Sequence, residues 1–189
     1  MITFGRKLNF VPLAVAIITG LIGFFLLDAI LTLSAPLFAP CATFGGIAIF
    51  LLMICGYYPA NLPYLTAYSE ITKDHVRFYE YQNYGHKIKL LLTGSNAPMT
   101  MIKTSAIAKA EIYGTEKVEQ MPTVATNLWL TWLFINKTGI IKNPYGIKLT
   151  LKDGHVIHIS ASYNKIRDPK QAVEKVNSAL RLIQTNLVK

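Results

Sequence analysis

The sequence predicts a membrane α-hairpin of two transmembrane helices followed by an α+β domain, in which an antiparallel sheet is capped by a C-terminal amphipathic helix. Hydrophobic residues make up 52% of the 189 residues and charged residues only 15%, against about 25% in average soluble domains. Asp28 is the only charge between Asn9 and Tyr58. Residues 59–189 hold 17 of the 19 Lys and Arg residues and 9 of the 10 Asp and Glu residues, which indicates one folded domain after the hairpin.

Two apolar runs predict the hairpin. The first helix is expected at about residues 10–33 and the second at about residues 37–58, each near the roughly 20 helical residues that cross a hydrocarbon core. Because the connection is so short, the two helices are adjacent and antiparallel. The predicted organisation is a transmembrane hairpin over residues 1–58, a linker over 59–63 and the domain over 64–189.

The cationic residues nearest to the spans predict the orientation. Arg6 and Lys7 precede the first helix, Lys73 and Arg77 follow the second, and the connecting turn has no Lys or Arg. The positive-inside rule therefore predicts a multi-pass protein of the cytoplasmic (inner) membrane with both termini and the domain in the cytoplasm. The alternative is a signal peptide cleaved after Ala35, but the first apolar run exceeds the usual length of about 7 to 15 residues and a second span follows.

Small residues recur on both predicted helices. The candidate helix-packing residues are Ala16, Gly20, Gly23, Ala42, Gly45 and Gly46. The spacing of four between Ala16 and Gly20, and between Ala42 and Gly46, places each pair on one face and lets two backbones approach closely. These faces either pack the two helices against each other or contact another integral membrane protein or a second copy of the chain.

The predicted spans contain one acid and both cysteines. An intramembrane carboxylate is a functional candidate, but the place of Asp28 near the helix end and the lack of a charged partner in either span favour an interfacial residue. Cys41 and Cys55 are separated by about 21 Å of helix and so cannot form a disulfide with each other. They are expected to pack as small apolar residues.

The first part of the domain alternates apolar and polar residues. This pattern predicts a strand at about Asp74–Tyr81 and a hairpin partner at Lys87–Leu92, joined by a turn at Asn83–Gly85. One or two further strands are expected within Met99–Tyr113.

The middle of the domain is less regular. Residues 115–127 are polar and predict a loop or a short helix. The apolar run Leu128–Ile135 is too short to span a membrane as a helix. It predicts a buried central strand, or alternatively a patch that carries Trp129 and Trp132 to the bilayer surface.

The C-terminal third has the strongest local signals. Tyr145–Leu151 and Val156–Ser160 alternate on either side of Asp153–Gly154, which predicts a β-hairpin. Asp168 is a helix N-cap candidate, followed by Pro169 at the first helical position. The residues with helical spacing that form an apolar stripe are Ala172, Val173, Val176, Ala179, Leu180 and Ile183. This stripe requires a sheet to cover, and about six or seven strands are expected in total.

Four segments in this order resemble a known family. They are ITKDHVRFYEY, PMTMIKTSAIAKAEIY, GIKLTLKDGHVIHIS and DPKQAVEKVNSAL. The pattern is similar to that of the bacterial PH-like domains found next to paired membrane helices. The resemblance implies a PH-like fold over about 120 residues, a sheet or barrel with a C-terminal helix, and a role as a binding module whose ligand it does not specify.

The residues that carry chemistry do not form a recognised catalytic or metal motif. The sequence has no Walker or dinucleotide-binding loop, no HExxH and no GxSxG. His155 and His158 are three residues apart on a predicted strand, so they face opposite sides of the sheet. We therefore expect no enzymatic activity, no metal and no cofactor.

Charge is the remaining chemical signal. Residues 59–189 carry 17 cations and 9 acids, a formal charge of +8. The candidate contacts to a membrane surface or a partner are Lys73, Arg77, Lys87, Lys89, Trp129, Trp132, Lys165 and Arg167. A basic domain tethered beneath a membrane is attracted to anionic lipid headgroups. Nucleic acid is a less favoured partner, because no nucleic-acid-binding motif is present.

These features predict a non-enzymatic integral membrane scaffold or accessory subunit. Its domain is expected to bind a partner protein or the anionic membrane surface, while its helices contact the lipid bilayer and another membrane protein or a second copy. The alternative is an oligomeric component of a membrane transport or secretion complex, with Asp28 near the pathway.

Overall fold

The chain forms two compact units in a computed structural model that describes residues 1–81, 83–117 and 139–187. The hairpin unit comprises Leu8–Leu62 and Tyr81–Pro98. The sheet unit comprises Met1–Lys7, Pro63–Glu80 and the chain from Met99 onward. Each unit is therefore assembled from separate stretches of sequence.

Two long helices make up most of the hairpin unit. Helix α1 spans Val11–Ser34. The second helix begins at Cys41 and consists of α2 (Cys41–Leu51), a π-helical segment (Leu52–Tyr57) and α3 (Tyr58–Leu65). The two helices, of 24 and 25 residues, are long and apolar enough to cross a membrane. The prediction of two apolar helices near the N-terminus is confirmed.

Small residues let α1 and α2 pack closely. Ala16 and Ala42 are both completely buried. A Cβ atom added to Gly46 would lie 2.7 Å from the Phe24 Cβ atom and 3.0 Å from the Gly20 carbonyl oxygen. Gly20 and Gly46 thus meet between the two helices of one chain. The structure buries four of the six candidate packing residues: Ala16, Gly20, Ala42 and Gly46.

Helix α4 (Tyr84–Thr93) also belongs to the hairpin unit. The prediction of a strand at Lys87–Leu92 is therefore wrong. Leu90 and Leu91 are adjacent in sequence and both are buried. Neighbouring side chains of a strand point to opposite faces, whereas neighbours on a helix are about 100° apart and can pack against the same surface.

The sheet unit begins with a four-stranded antiparallel sheet. Its strands are β1 (Ile2–Phe4), β2 (Ser69–Ile71), β3 (His75–Phe78) and β4 (Thr100–Lys103), hydrogen-bonded in that order. Strand β1 was not predicted, and it pairs with β2 so that Phe4 lies opposite Ser69. The chain thus leaves the sheet at one strand, forms the hairpin, and returns to the neighbouring strand.

The described residues of the sheet unit also include a second antiparallel sheet, followed by two helices. The strands are β5 (Ile107–Gly114), β6 (Tyr145–Leu151) and β7 (Val156–Ser160). They are followed by α5 (Ser162–Arg167) and α6 (Pro169–Leu187). The predicted β6–β7 hairpin is confirmed, as is the C-terminal helix, whose Gln171 amide donates to Asp168 Oδ1 at 3.0 Å.

The core of the sheet unit lies where the strands meet α6. Strand residues Ile71, Val76, Ile147 and Leu149 are completely buried. The helix contributes the predicted stripe, with Val176, Ala179 and Ile183 completely buried, Ala172 1% exposed, and Val173 and Leu180 partly buried against the core. The antiparallel sheet domain with a C-terminal helix is therefore confirmed in outline.

The structure divides the chain differently from the predicted boundaries. Residues 1–7 belong to the sheet unit instead of the hairpin, and the predicted linker at 59–63 lies within helix α3. The strand predicted at Asp74–Tyr81 ends at Phe78. Leu128–Ile135 and most of the 115–127 segment lie outside the described residues.

Candidate membrane-surface site

Helix α4 packs on the hairpin through one apolar face. Leu90 is completely buried and Leu91 is 1% exposed. At the C-terminal end of α4, Gly94 has φ +51°, and a Cβ atom there would lie 2.5 Å from Cδ1 of Phe10. Glycine both permits this backbone conformation and leaves room for the Phe10 ring. Because Phe10 directly precedes α1, this end of α4 lies where α1 begins.

The N-terminal end of α4 is held by a tyrosine. The Tyr84 hydroxyl donates a hydrogen bond to the backbone carbonyl of Cys55. In an α-helix that carbonyl would accept from the amide four residues later, but residue 59 is proline and has no amide hydrogen. Cys55 lies in the π-helical segment, and Tyr84 adds a side-chain donor to a carbonyl that cannot accept from residue 59. Such replacement donors are how proline is accommodated in membrane helices.

The charge of the hairpin unit is concentrated on α4. Lys89 is exposed and Lys87 and His86 are half-buried. This unit contains one acidic residue, Asp28, which lies in the second half of α1. Within the part of the chain that the structure describes, neither Lys87 nor Lys89 forms an ion pair. The two ammonium groups are therefore available to an anionic partner.

A second face of α4 is exposed and partly apolar. Positions 85, 88, 89 and 92 share this face through i, i+3 and i+4 spacing. Leu92 is 53% exposed, Ile88 is half-buried, and Lys89 lies between them. The face thus combines apolar side chains with a cation, which suits a membrane–water interface.

The other predicted surface cations belong to the sheet unit. Lys73 lies in the β2–β3 turn and Arg77 lies on β3 opposite Glu70 and Met101, and both are exposed. Arg167 is exposed at the end of α5. Trp129 and Trp132 lie outside the described residues. The predicted contact residues are therefore divided between the two units.

Lys165 differs from the prediction, because its side chain is completely buried. Its ammonium donates to the carbonyl oxygen of Thr115 and, at 2.9 Å, to that of Lys117. It also lies 5.4 Å from the centre of the Tyr145 ring. Lys165 therefore anchors the chain after β5 and cannot contact a membrane surface in this structure.

The outer face of the second sheet carries a small polar cluster. The Lys109 ammonium, 2.5 Å from Oε1 of Glu111, lowers the pKa of that carboxyl, and Lys148 adds to this effect. Burial raises the pKa of the Tyr113 phenol, whereas a hydrogen bond with Ser160 opposes the shift. The Tyr113 ring meets the His158 ring edge-on at 5.1 Å. Lys109 and Glu111 thus form a surface ion pair, and Tyr113 packs on the sheet against His158.

The described residues contain no group of three or more His, Cys, Asp or Glu side chains that could hold a metal ion. Asp28 is half-buried in α1. Cys41 and Cys55 are free and exposed on the second helix. A groove of about 470 Å³ between α1 and α2 has Gly20 and Gly46 at its base and is almost entirely apolar.

The sequence analysis named Lys87 and Lys89 as candidate contact residues but missed the helix that carries them. The signals that could have located it are the pair of adjacent leucines, Leu90 and Leu91, and the glycine at position 94 as a helix C-cap. Pro59 indicated that residue 59 cannot donate to the Cys55 carbonyl, but no local pattern identified Tyr84 as a donor to it. That contact joins residues 29 positions apart.

No known protein family, no curated protein and no solved structure matches this chain. The class of the protein therefore rests on its own structure, which is a sheet domain joined to two helices able to span a membrane.

Proposed function

We propose that this chain is a non-enzymatic integral membrane scaffold or accessory subunit, whose PH-like domain binds a partner protein or the anionic membrane surface. The observation that carries the proposal is the insertion of the hairpin between β1 and β2. Because Phe4 and Ser69 face each other across these paired strands, both connections to the hairpin start from one pair of hydrogen-bonded strands. An insertion of this kind suits a binding domain held permanently at a membrane.

The PH-like assignment is part of this proposal. It is supported by the sequence resemblance and by seven antiparallel strands, among the described residues, in sheets of four and three. The C-terminal helix α6 packs on their shared core. This arrangement matches the helix-capped sheet that the resemblance implies.

The proposed orientation places both termini and the sheet unit in the cytoplasm, with the hairpin crossing the inner membrane twice. Arg6 and Lys7 lie just before α1, and Lys73 follows α3 closely. Residues 35–40, which connect the helices, contain no charge. This asymmetry supports the orientation through the positive-inside rule.

The proposal is tested by isolating the full chain from its native membrane in mild detergent and determining the mass and composition of the complex. We expect a stoichiometric assembly with a membrane protein or with further copies. A chain that purifies as a monomer and, once reconstituted, shows no preference for anionic over neutral lipid contradicts the proposal.

The alternative function is an oligomeric component of a transport or secretion complex. Asp28 favours it, because this carboxylate is half-buried in a helix able to span the membrane. Replacement Asp28→Asn separates the two functions. A scaffold retains its complex and the activity of that complex, whereas a pathway residue loses flux or selectivity with the complex intact.

A further inference from the structure

We propose that α4 is an interfacial helix that binds anionic phospholipid headgroups, with Lys87 and Lys89 contacting the phosphates and Leu92 entering the acyl boundary. The inference rests on the proposed function in one respect, that the hairpin spans a bilayer. It adds a specific lipid class and a specific site, which lies on the hairpin unit and outside the sheet domain.

The position of α4 along the hairpin is the first argument. Its C-terminal end contacts Phe10, immediately before α1. Its N-terminal end bonds to Cys55, which precedes the end of α3 by about 15 Å of helix. Helix α4 therefore runs along the hairpin from a level about 15 Å before the end of α3 to the start of α1. Helix α1 is about 36 Å long and the apolar part of a bilayer is about 30 Å thick, so the end of α1 that α4 contacts reaches one headgroup boundary.

The charge at this level is the second argument. The hairpin unit contains one acidic residue, Asp28, against the two lysines Lys87 and Lys89. Asp28 lies about 26 Å along α1 from Val11. About that length of helix separates Asp28 from the end of α1 that α4 contacts, and Asp28 forms no ion pair with either lysine. Their charge at this end of the hairpin is complementary to the phosphates of an anionic leaflet.

The shape of α4 is the third argument. Leu90 and Leu91 hold it against the hairpin, while Ile88, Lys89 and Leu92 lie on the outward face. Lys87 is half-buried, so its alkyl chain can follow apolar surface while its ammonium reaches the headgroups. An interfacial helix requires this combination of an apolar side and adjacent cations.

The depth of α4 is tested with spin labels on the full chain in vesicles of phosphatidylcholine with phosphatidylglycerol. In a Cys41→Ala, Cys55→Ala background, labels are attached at Leu92→Cys, at Ile22→Cys in the middle of α1, and at Lys152→Cys on the sheet unit. We expect the Leu92 position to be accessible to oxygen at headgroup depth, the Ile22 position to lie deep in the acyl region, and the Lys152 position to be in water.

The outcomes separate this inference from the proposed function. If the Ile22 position is in water, the hairpin does not span and the proposed function fails. If Ile22 is deep but Leu92 is fully in water, or is shielded from both oxygen and a polar relaxation reagent by protein, the interfacial helix alone is overturned.

Lipid class is tested by the association of spin-labelled phosphatidylglycerol relative to phosphatidylcholine with the reconstituted chain. The double variant Lys87→Gln, Lys89→Gln should lower this selectivity about fivefold or more, since each cation near the surface favours anionic lipid by about that factor. The matched control Lys152→Gln, Lys170→Gln removes the same charge from exposed positions of the sheet unit. Equal loss in both variants, or no loss in either, overturns the site.

Discussion

At the scale of single residues, Gly46 sets how closely the two apolar helices approach. The space that a Cβ atom would need is occupied by Phe24 and by the backbone of Gly20. Two glycines thus allow direct contact between helix backbones, and such close packing is one of the interactions that associate helices in lipid, where no hydrophobic driving force acts between them.

Replacement Gly46→Leu should separate α1 from α2. Overpacking of this kind costs about 1–3 kcal/mol, and it should appear as a lower Tm of the detergent-solubilised chain. Gly56→Ala is the matched control, because a Cβ atom at position 56 has no neighbour within 4 Å. Equal Tm values for the two variants would contradict the close packing described here.

Tyr84 is a second single residue that stabilises the hairpin unit, in this case through a hydrogen bond. Replacement Tyr84→Phe removes the donor to the Cys55 carbonyl and should destabilise the hairpin unit by about 1 kcal/mol. The variant Pro59→Ala gives residue 59 an amide hydrogen that can donate to the same carbonyl, so Tyr84→Phe should cost less in that background. The measurement is a double-mutant cycle of unfolding in detergent. A coupling energy of zero would show that Tyr84 does not replace the donor that Pro59 lacks.

At the scale of elements, the apolar stripe of α6 correctly predicted a helix, whereas the pattern of Lys87–Leu92 predicted a strand where the structure has helix α4. The stripe from Ala172 to Ile183 covers several turns, so its period distinguishes a helix from a strand. The segment Lys87–Leu92 is only six residues long and fits both periods. The adjacent leucines and Gly94 are compatible with a helix, but the hairpin surface that buries Leu90 and Leu91 together is distant in sequence.

The N-cap of α6 gives a prediction at this scale. Asp168 Oδ1 accepts the Gln171 amide at 3.0 Å, so Asp168→Ala should destabilise the chain by about 1 kcal/mol. The control Glu174→Ala removes an exposed acid from the interior of the same helix, where alanine is favourable. Urea unfolding followed by circular dichroism measures both. A loss as large for Glu174→Ala as for Asp168→Ala would argue against capping.

At the scale of the whole molecule, the chain order of the sheet is the main departure from the sequence prediction. Residues 2–4 pair with 69–71 across the entire hairpin. This strand is too short for its alternation to be recognised, and its partner is more than sixty residues away. Only the tertiary structure shows that the N-terminus belongs to the sheet unit.

Thiol labelling in intact cells tests the proposed topology. The substitutions Arg6→Cys and Lys152→Cys are made in the cysteine-free background at exposed positions of the sheet unit. Leu37→Cys is made in the connection between the two helices. We expect an impermeant reagent added outside to label only the Leu37 position. Labelling of the Lys152 position from outside, without permeabilisation, would reverse the proposed orientation.

The sequence alone determined that there are two apolar helices, one β-hairpin near the C-terminus and one capped amphipathic helix. Each of these elements depends on the composition of one segment or on a repeat within it. Burying a polar side chain or exposing an apolar one costs free energy, so the pattern within the segment selects the element. The tertiary structure decided that β1 joins the sheet, that Lys165 is buried on two backbone carbonyls, and that α4 is a helix held by Tyr84. These features arise from contacts between residues distant in sequence, so their free energies exist only once the chain has folded.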